Sequence, residues 1–495
     1  MEHSPVPGKL VDQRAEPEPG GSGRHGHALK RSLGTGAIVF MVLAAAAPLT
    51  ATTGVLPLSI LFSENSAAPL YFLVAVAVLG LFSVAYTAMS KTVQNAGAFY
   101  SYIEAGLGRT VGNSAAMLAL GAYTLTVLAL TTYAGPFASQ LVASFTSWDN
   151  SPWWLWSLLC WAVLMFLGYR DIELSSKVLA VLLALEAVVI LILSLAILVR
   201  GGADGISLSP LSPKQAFDHG SPATGIMWAA LCFIGFEATA VFRQEARDPE
   251  RTIPRATYLA ILLIGTLYAF TAWSIVLGAG AADVVGTIGS DPSGVVFGLA
   301  NEYMGTWFAD LINVLLLGSI FACALSFHNV VNRYQMTMSR AGLLPQHVGQ
   351  IHHKHRVPSA ASRVLSGLVL VALVVVAILG LDPATQVFAP LVGILGFAVI
   401  SLMSLASLSA IFYLRRQRSG TSVFTTTIAP IGALIALVYV LSLSFSNIEI
   451  ITGSKTGSAI VVSLMIAFPV IGAIASWVVR PDRSSSLPAE GSSTD

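Results

Sequence analysis

Apolar runs of about twenty residues recur along this chain from near residue 36 to residue 480. Runs of that length are too long for core strands and match what a helix needs to cross the hydrocarbon of a bilayer. Within hydrocarbon every backbone polar group must be satisfied by its own segment, which a helix achieves. The expected fold class is therefore all-α and polytopic. Composition agrees: 55% of the residues are hydrophobic and 10% charged, against about 25% charged in an ordinary soluble domain. A secreted enzyme, a nucleic-acid binder and a soluble multidomain protein are excluded despite the length of 495 residues. The net charge of +1 provides no global field for a polyanionic partner.

Polar punctuation places spans at about 34–62, 67–90, 110–145, 152–168, 173–199 and 222–246, then at 255–280, 306–338, 358–380, 384–414, 423–446 and 456–480. Twelve spans put both termini on one side. With that side cytoplasmic, all but three of the 26 Lys and Arg residues fall in inside segments, the exceptions being Arg200, Lys214 and Lys455. This is the asymmetry expected of a multi-pass protein of a cell's inner membrane. Residues 1–33 and 481–495 are too polar to bury a core and are expected to be disordered cytoplasmic tails. His25 and His27 belong to the first tail and read as solvated. Cys160, Cys232 and Cys323 all lie in apolar spans, where cysteine serves as a small hydrophobe; no zinc site or disulfide framework is read from them.

Two spans carry interruptions. The first holds Pro48, Gly54 and Pro57 in mid-membrane, and proline removes an amide donor from the helix. The sixth holds Gly235 followed by Glu237. Each heads a group of five helices, and in each group the third member is long. Because five is odd, two tandem copies lie in opposite senses across the membrane. The expected units are repeat one at 34–200, repeat two at 201–414 and two extra helices over 415–480. Paired interruptions in an inverted repeat point to a transporter's binding site.

At these residues the chain resembles a known family. Phe233-Ile234-Gly235-Phe236-Glu237, continuing through Glu245-Ala246-Arg247-Asp248-Pro249-Glu250 to Ala256, is similar to the sixth-helix signature of the amino acid–polyamine–organocation superfamily, in its amino acid permease branch. Gly97-Ala98-Phe99-Tyr100-Ser101-Tyr102 with Gly106, Gly108 and Gly112, and Ser339-Arg340-Ala341-Gly342-Leu343-Leu344-Pro345, resemble its other motifs. The resemblance implies a five-plus-five inverted-repeat fold with broken helices 1 and 6, and transport of amino acids or amines by proton symport or exchange. Where many relatives have a Gly-Ser-Gly type segment in helix one, this chain has Thr50-Ala51-Thr52.

An amino acid in mid-membrane needs fixed partners for both charges, since unpaired polar groups there cost several kcal/mol. Amides opening a half-helix suit a carboxylate, which assigns it to Pro48, Leu49, Thr50, Ala51 and Thr52, with Ala47 before them also counted in the binding site. Carbonyls ending the preceding half-helix and the backbone around Cys232, Phe233, Ile234 and Gly235 suit the ammonium group. Phe233 and Phe236 are candidate aromatic gates or else packed aromatics, and Tyr123 either faces the cavity or packs. Glu186 and Glu237 are the acidic residues deep in spans; an intramembrane carboxylate is a functional candidate, and loss of water disfavours its charge. Glu186 reads as the proton-coupling residue, with a structural hydrogen-bond partner as its other reading. Glu237 reads as a gating and coupling residue, with helix capping as its other reading.

Ser319 and Ser326 offer oxygens for sodium, which ranks below protons. His328 reads as a core histidine, His352-His353-Lys354-His355 as a solvated loop, and Arg243–Arg255 with Glu245, Asp248 and Glu250 as a topology determinant and set of inner-gate ion pairs. The expected function is secondary active amino acid uptake by alternating access. The expected partners are a small amino acid or amine, protons and the lipid bilayer; no catalytic residue, metal, cofactor or nucleic acid is implied. The alternatives are an amine or polyamine carrier, an amino acid exchanger, or an amino-acid-binding channel or sensor.

Overall fold

In a computed structural model, residues 34–478 are described apart from 94–97, 147, 149–150, 170–175, 238, 240–245, 350–358, 418–421 and 453. Both expected tails, Gly97, Arg243, Glu245 and the His352–His355 run lie outside the described residues. The described residues form helices and no strands. Nine helices among them are long and apolar enough to cross a membrane, and three shorter apolar helices accompany them.

In chain order these are α1 (Thr35–Ala46), α2 (Pro48–Ser63), α3 (Ala68–Thr92), the short α4 (Ala98–Leu107), α5 (Arg109–Phe145), α6 (Trp153–Tyr169), α7 (Ser176–Val199) and α8 (Pro222–Leu231). There follow α9 (Pro249–Ala279), α10 (Thr306–Arg340), α11 (Ser359–Leu379), α12 (Pro383–Arg416), α13 (Phe424–Ser446) and α14 (Lys455–Val478). Ten of the expected spans overlap one of these helices, the first overlaps the pair α1 and α2, and the sixth is covered by α8 over its first ten residues. The helix α4 was not expected from hydropathy, nor were the connectors Val284–Ser290 and Val295–Met304.

The two longest helices, α5 and α10, pack along each other at the centre, and α3 packs along α9. Large apolar side chains such as Leu185, Val188, Ile192, Leu262, Val371, Ile378 and Ile435 face outward. That belt is what a bilayer requires of a bundle with no aqueous contact at mid-depth.

Three turns inside long helices are wound as π-helix: Ala51–Val55, Pro383–Phe388 and Phe424–Ile428. Each ends two residues before a proline: Pro57, Pro390 and Pro430. A proline ring collides with the carbonyl four residues back, and a widened turn moves that carbonyl aside. Proline placement thus explains where these helices loosen. At one end of the bundle the Lys91 ammonium lies 3.9 Å from the Glu250 carboxylate, tying α3 to α9.

Candidate functional site

The first break falls at Ala47, whose φ of 44° and ψ of 72° are left-handed, a conformation costly for a residue with a Cβ. Pro48 opens α2 at the position where a missing amide is harmless. The segment Pro48–Thr52 is therefore helical, and the departure from helix sits one residue before it.

The amides exposed by the break are partnered within the protein. Leu49 N donates to Glu186 Oε2 at 3.1 Å, and Thr50 N donates to Ser319 Oγ at 3.3 Å. The Thr50 hydroxyl donates to Ser319 Oγ at 2.9 Å, and that hydroxyl passes its own hydrogen to Glu186 Oε2, also at 2.9 Å. Ala51 N returns to Ala47 O at 2.9 Å. Glu186 of α7, 3% exposed, thus sits at the positive end of a half-helix, the place such a dipole favours for a carboxylate. The expected open cradle for a substrate carboxylate is filled by the protein's own.

The second break follows α8. Residues 232–237 run as tight turns, with Phe233 N on Ala230 O, Ile234 N on Leu231 O and Phe236 N on Phe233 O, each at 3.1 Å. Gly235 has φ 111°, open to glycine alone among ordinary residues. Its amide donates to Glu237 Oε2 at 2.8 Å, and the Tyr86 hydroxyl donates to Glu237 O at 2.8 Å. Glu237 therefore closes the turn through both its side chain and its carbonyl. The remainder of the expected sixth span, up to Ala246, falls largely outside the described residues.

Between the breaks lies a buried cavity of about 60 Å³. Ala47, Thr50 and Ala51 form one wall, and Cys232 and Ile234 the facing one. Thr126 and Leu130 of α5, Cys323 and Phe327 of α10, and Phe388, Val392 and Leu395 of α12 complete it. None of the described residues lining it is charged. A second cavity of about 700 Å³ lies over it, bounded by Thr53 and Gly54 of α2, by the start of α12 and by exposed residues such as Gln386 and Thr456.

Other expected site residues lie elsewhere. Pro48 faces an apolar groove between α1, α7 and α9, and Leu49 and Thr52 border a small void with Val189 and Ile275. Phe233 packs on Phe72 (ring centroids 6.5 Å) and edge-on to Tyr268 (6.3 Å), and Phe236 stands edge-on to Phe82 at 6.1 Å. Neither ring is among the residues lining the cavity, and both pack against other aromatics; the turns of 232–237 bring Cys232 and Ile234 to its wall instead. Tyr123 lies behind Phe327, at 5.6 Å, rather than in the wall. Ser326 donates to Ala322 O of its own helix at 2.9 Å and so does not join Ser319. His328 Nε2 lies 3.2 Å from Ser362 Oγ, at the packing of α10 on α11.

The sequence pattern of the family described as amino acid permease matches residues 38–480. The chain belongs to the amino acid permease family. Its relatives include the low-affinity putrescine importer PlaP of Escherichia coli K12, 22% identical over 69% of this chain and 74% of that protein. The branched-chain amino acid permease BcaP of Lactococcus lactis is 24% identical over 57% of this chain and 63% of its own. An uncharacterized transporter of Mycobacterium tuberculosis is 28% identical over 38% of this chain. The permease is thus a multi-pass membrane transporter and not an enzyme.

In this permease the residues that sequence reasoning missed are mainly those of the long helices. Thr126, Leu130, Phe327, Val392 and Leu395 carry no mark that separates them from neighbours in equally apolar spans. Cys323 was noticed only as a small hydrophobe, and Cys232 otherwise only for its backbone, although both residues border the cavity. Phe388 had one available signal, the Pro390 two residues beyond it.

Proposed function

We propose that the permease is a secondary active importer of small neutral amino acids, driven by protons through Glu186 and working by alternating access about the breaks at Ala47 and Gly235. The observation that carries the reading is the seat of the Glu186 carboxylate on Leu49 N and the Ser319 hydroxyl. An ionised glutamate there accepts two hydrogen bonds and pins α7 to α2 and α10. A substrate carboxylate seeking the same half-helix end would meet a like charge in a medium of low polarity, where the repulsion is large. Protonation removes that charge and turns one oxygen into a donor. The Leu49 amide then becomes available to the substrate. Proton and carboxylate therefore bind together, and binding tightens as pH falls.

The apolar lining of the central cavity supports an aliphatic side chain. A diamine would bring a second ammonium group into a wall with no carboxylate among the described residues, which favours neutral amino acids over polyamines. The placement of Lys and Arg supports cytoplasmic termini in an inner membrane, and the two breaks, with α5 and α10 each third in its group, support the inverted repeat.

The test is uptake into proteoliposomes under an imposed pH gradient. Wild type is expected to accumulate alanine, valine or leucine, with putrescine a poor competitor. Glu186→Gln is expected to lose gradient-driven accumulation and the pH dependence of binding while retaining exchange. Unchanged pH dependence in that variant would remove Glu186 from the mechanism, and linear, unsaturable flux would remove the carrier.

A further inference from the structure

Phe388 is the one described residue that borders both cavities, the buried one of about 60 Å³ and the vestibule of about 700 Å³. Its ring, 2% exposed, is held in a slot. It stacks on Tyr133 with centroids 4.0 Å apart and planes at 16°, and Tyr133 in turn meets Phe137 edge-on at 4.8 Å. Below it, Gly54 leaves the room the ring occupies: a Cβ there would come 3.0 Å from two ring carbons of Phe388 and 3.2 Å from Tyr133.

The backbone beneath Phe388 is also set apart from the rest of α12. It is the last residue of the π-helical turn Pro383–Phe388, loosened ahead of Pro390. That turn is anchored at its far end by Asp382, whose Oδ1 accepts from Ala384 N at 3.1 Å and from Thr385 N and Oγ1 at 2.6 Å. Gly380 before it takes a φ of 64°. A turn fixed at one end and widened at the other can swing its last side chain while the helix beyond stays in place.

We propose that Phe388 is the roof of the central cavity and its size filter. The ring limits how far a substrate side chain extends toward the vestibule, and its withdrawal from the Tyr133–Gly54 slot admits the substrate. The inference rests on the transport reading for its substrate, but its geometry is tested independently of transport, because Cys232 and Cys323 border the roofed cavity.

In a Cys160→Ser background those two thiols report access. Purified protein is treated with a small charged methanethiosulfonate, and modification of each cysteine is followed by peptide mass. Wild type is expected to react slowly at both. Phe388→Ala is expected to react at least about tenfold faster, and Phe388→Trp no faster than wild type. In uptake competition Phe388→Ala is expected to accept phenylalanine and tryptophan, and Phe388→Trp to lose leucine while keeping alanine, with shifts of about 10–200-fold per methylene-sized change in fit. Labelling of Phe388→Ala at the wild-type rate, or fast labelling of wild type, overturns the roof. Should Phe388→Ala fail to fold, an unchanged leucine-to-alanine preference in Phe388→Trp overturns it instead. Accelerated labelling in a protein that transports no amino acid would leave the roof standing and remove the carrier reading.

Discussion

The two ends of the central cavity are closed by very different amounts of protein. Toward the vestibule stands the single ring of Phe388. Toward the other end stand two ring clusters joined through the short helix α4. In one, Phe82 and Tyr86 of α3 meet Phe99 and Tyr102 of α4 and Phe236 beyond α8 at 5.1–6.3 Å. In the other, Tyr100 of α4, Tyr123 of α5, and Phe327 and Tyr334 of α10 touch at 5.6–5.7 Å. Aromatic pairs contribute about 0.5–1.5 kcal/mol each beyond the area they bury. Opening the thick end therefore disrupts many such pairs together, whereas opening the thin end displaces one side chain and breaks one stack, that of Phe388 on Tyr133. The difference describes a protein resting with its vestibule hollow and its opposite end sealed. On the alternating-access reading proposed above, the difference assigns the gates by thickness: one side chain for entry, a whole helix for release.

The largest expected effect comes from prising α4 off the bundle. A Cβ at Gly106 would fall on the Ser409 hydroxyl and on its main-chain carbonyl, and Ser409 itself donates to Tyr102 O. No flexible group there can yield to a side chain. Gly106→Val should cost about 1–3 kcal/mol of stability, as overpacking does, lowering the thermal unfolding midpoint. It should also expose Cys323 to thiol reagents even with Phe388 in place. If Gly106→Val leaves both the midpoint and the Cys323 labelling rate unchanged, α4 is not what seals the thick end.

A smaller effect is expected where the thick end meets the second break. Tyr86→Phe keeps the ring contacts with Phe82, Tyr102 and Phe236 but removes the 2.8 Å bond to Glu237 O. Losing that bond should cost about 0.5–1.5 kcal/mol. Because the rings remain, the seal against thiol reagents should hold while uptake slows. Tyr86→Phe with leaky labelling would show that the hydrogen bond, and not the aromatic packing, closes this end.

Hydropathy made the helices legible because a span is a local property of some twenty residues. The breaks were legible for the same reason: Pro48 and Gly235 mark themselves in their own segments, although the actual departure from helix lay at Ala47. Glu186 stood out as a lone carboxylate in an apolar run. What it touches was not legible, since Leu49 and Ser319 lie more than a hundred residues away on either side. Which aromatic rings line the cavity was not legible for a related reason. Phe233, Phe236, Phe327 and Phe388 are alike in sequence, and only the mutual rotation of α5, α8, α10 and α12 decides which ring borders the cavity. The amphipathic α4 escaped because it is too short for a span and its motif glycines do not announce a helix.

The smallest expected effect concerns the outer surface of α4, and it separates electrostatics from packing in the thick seal. Glu104 is partly buried against α5, where Gly112 makes room for it: a Cβ at Gly112 would come within 2.6 Å of Glu104 Cβ. Burial raises its carboxyl pKa above the usual value, and the Arg109 guanidinium partly opposes the shift. A carboxyl with a raised pKa docks best when neutral, so its contribution is fully present below its unfolded pKa and is lost as pH rises through the folded one. Glu104→Gln holds the neutral form at every pH. The variant should therefore unfold at a slightly higher temperature than wild type near pH 7.5, and the gap should close as pH falls through the carboxylate range. A gap that widened on acidification would mean that the Arg109 pair outweighs burial, and that α4 is held by charge as well as by its rings.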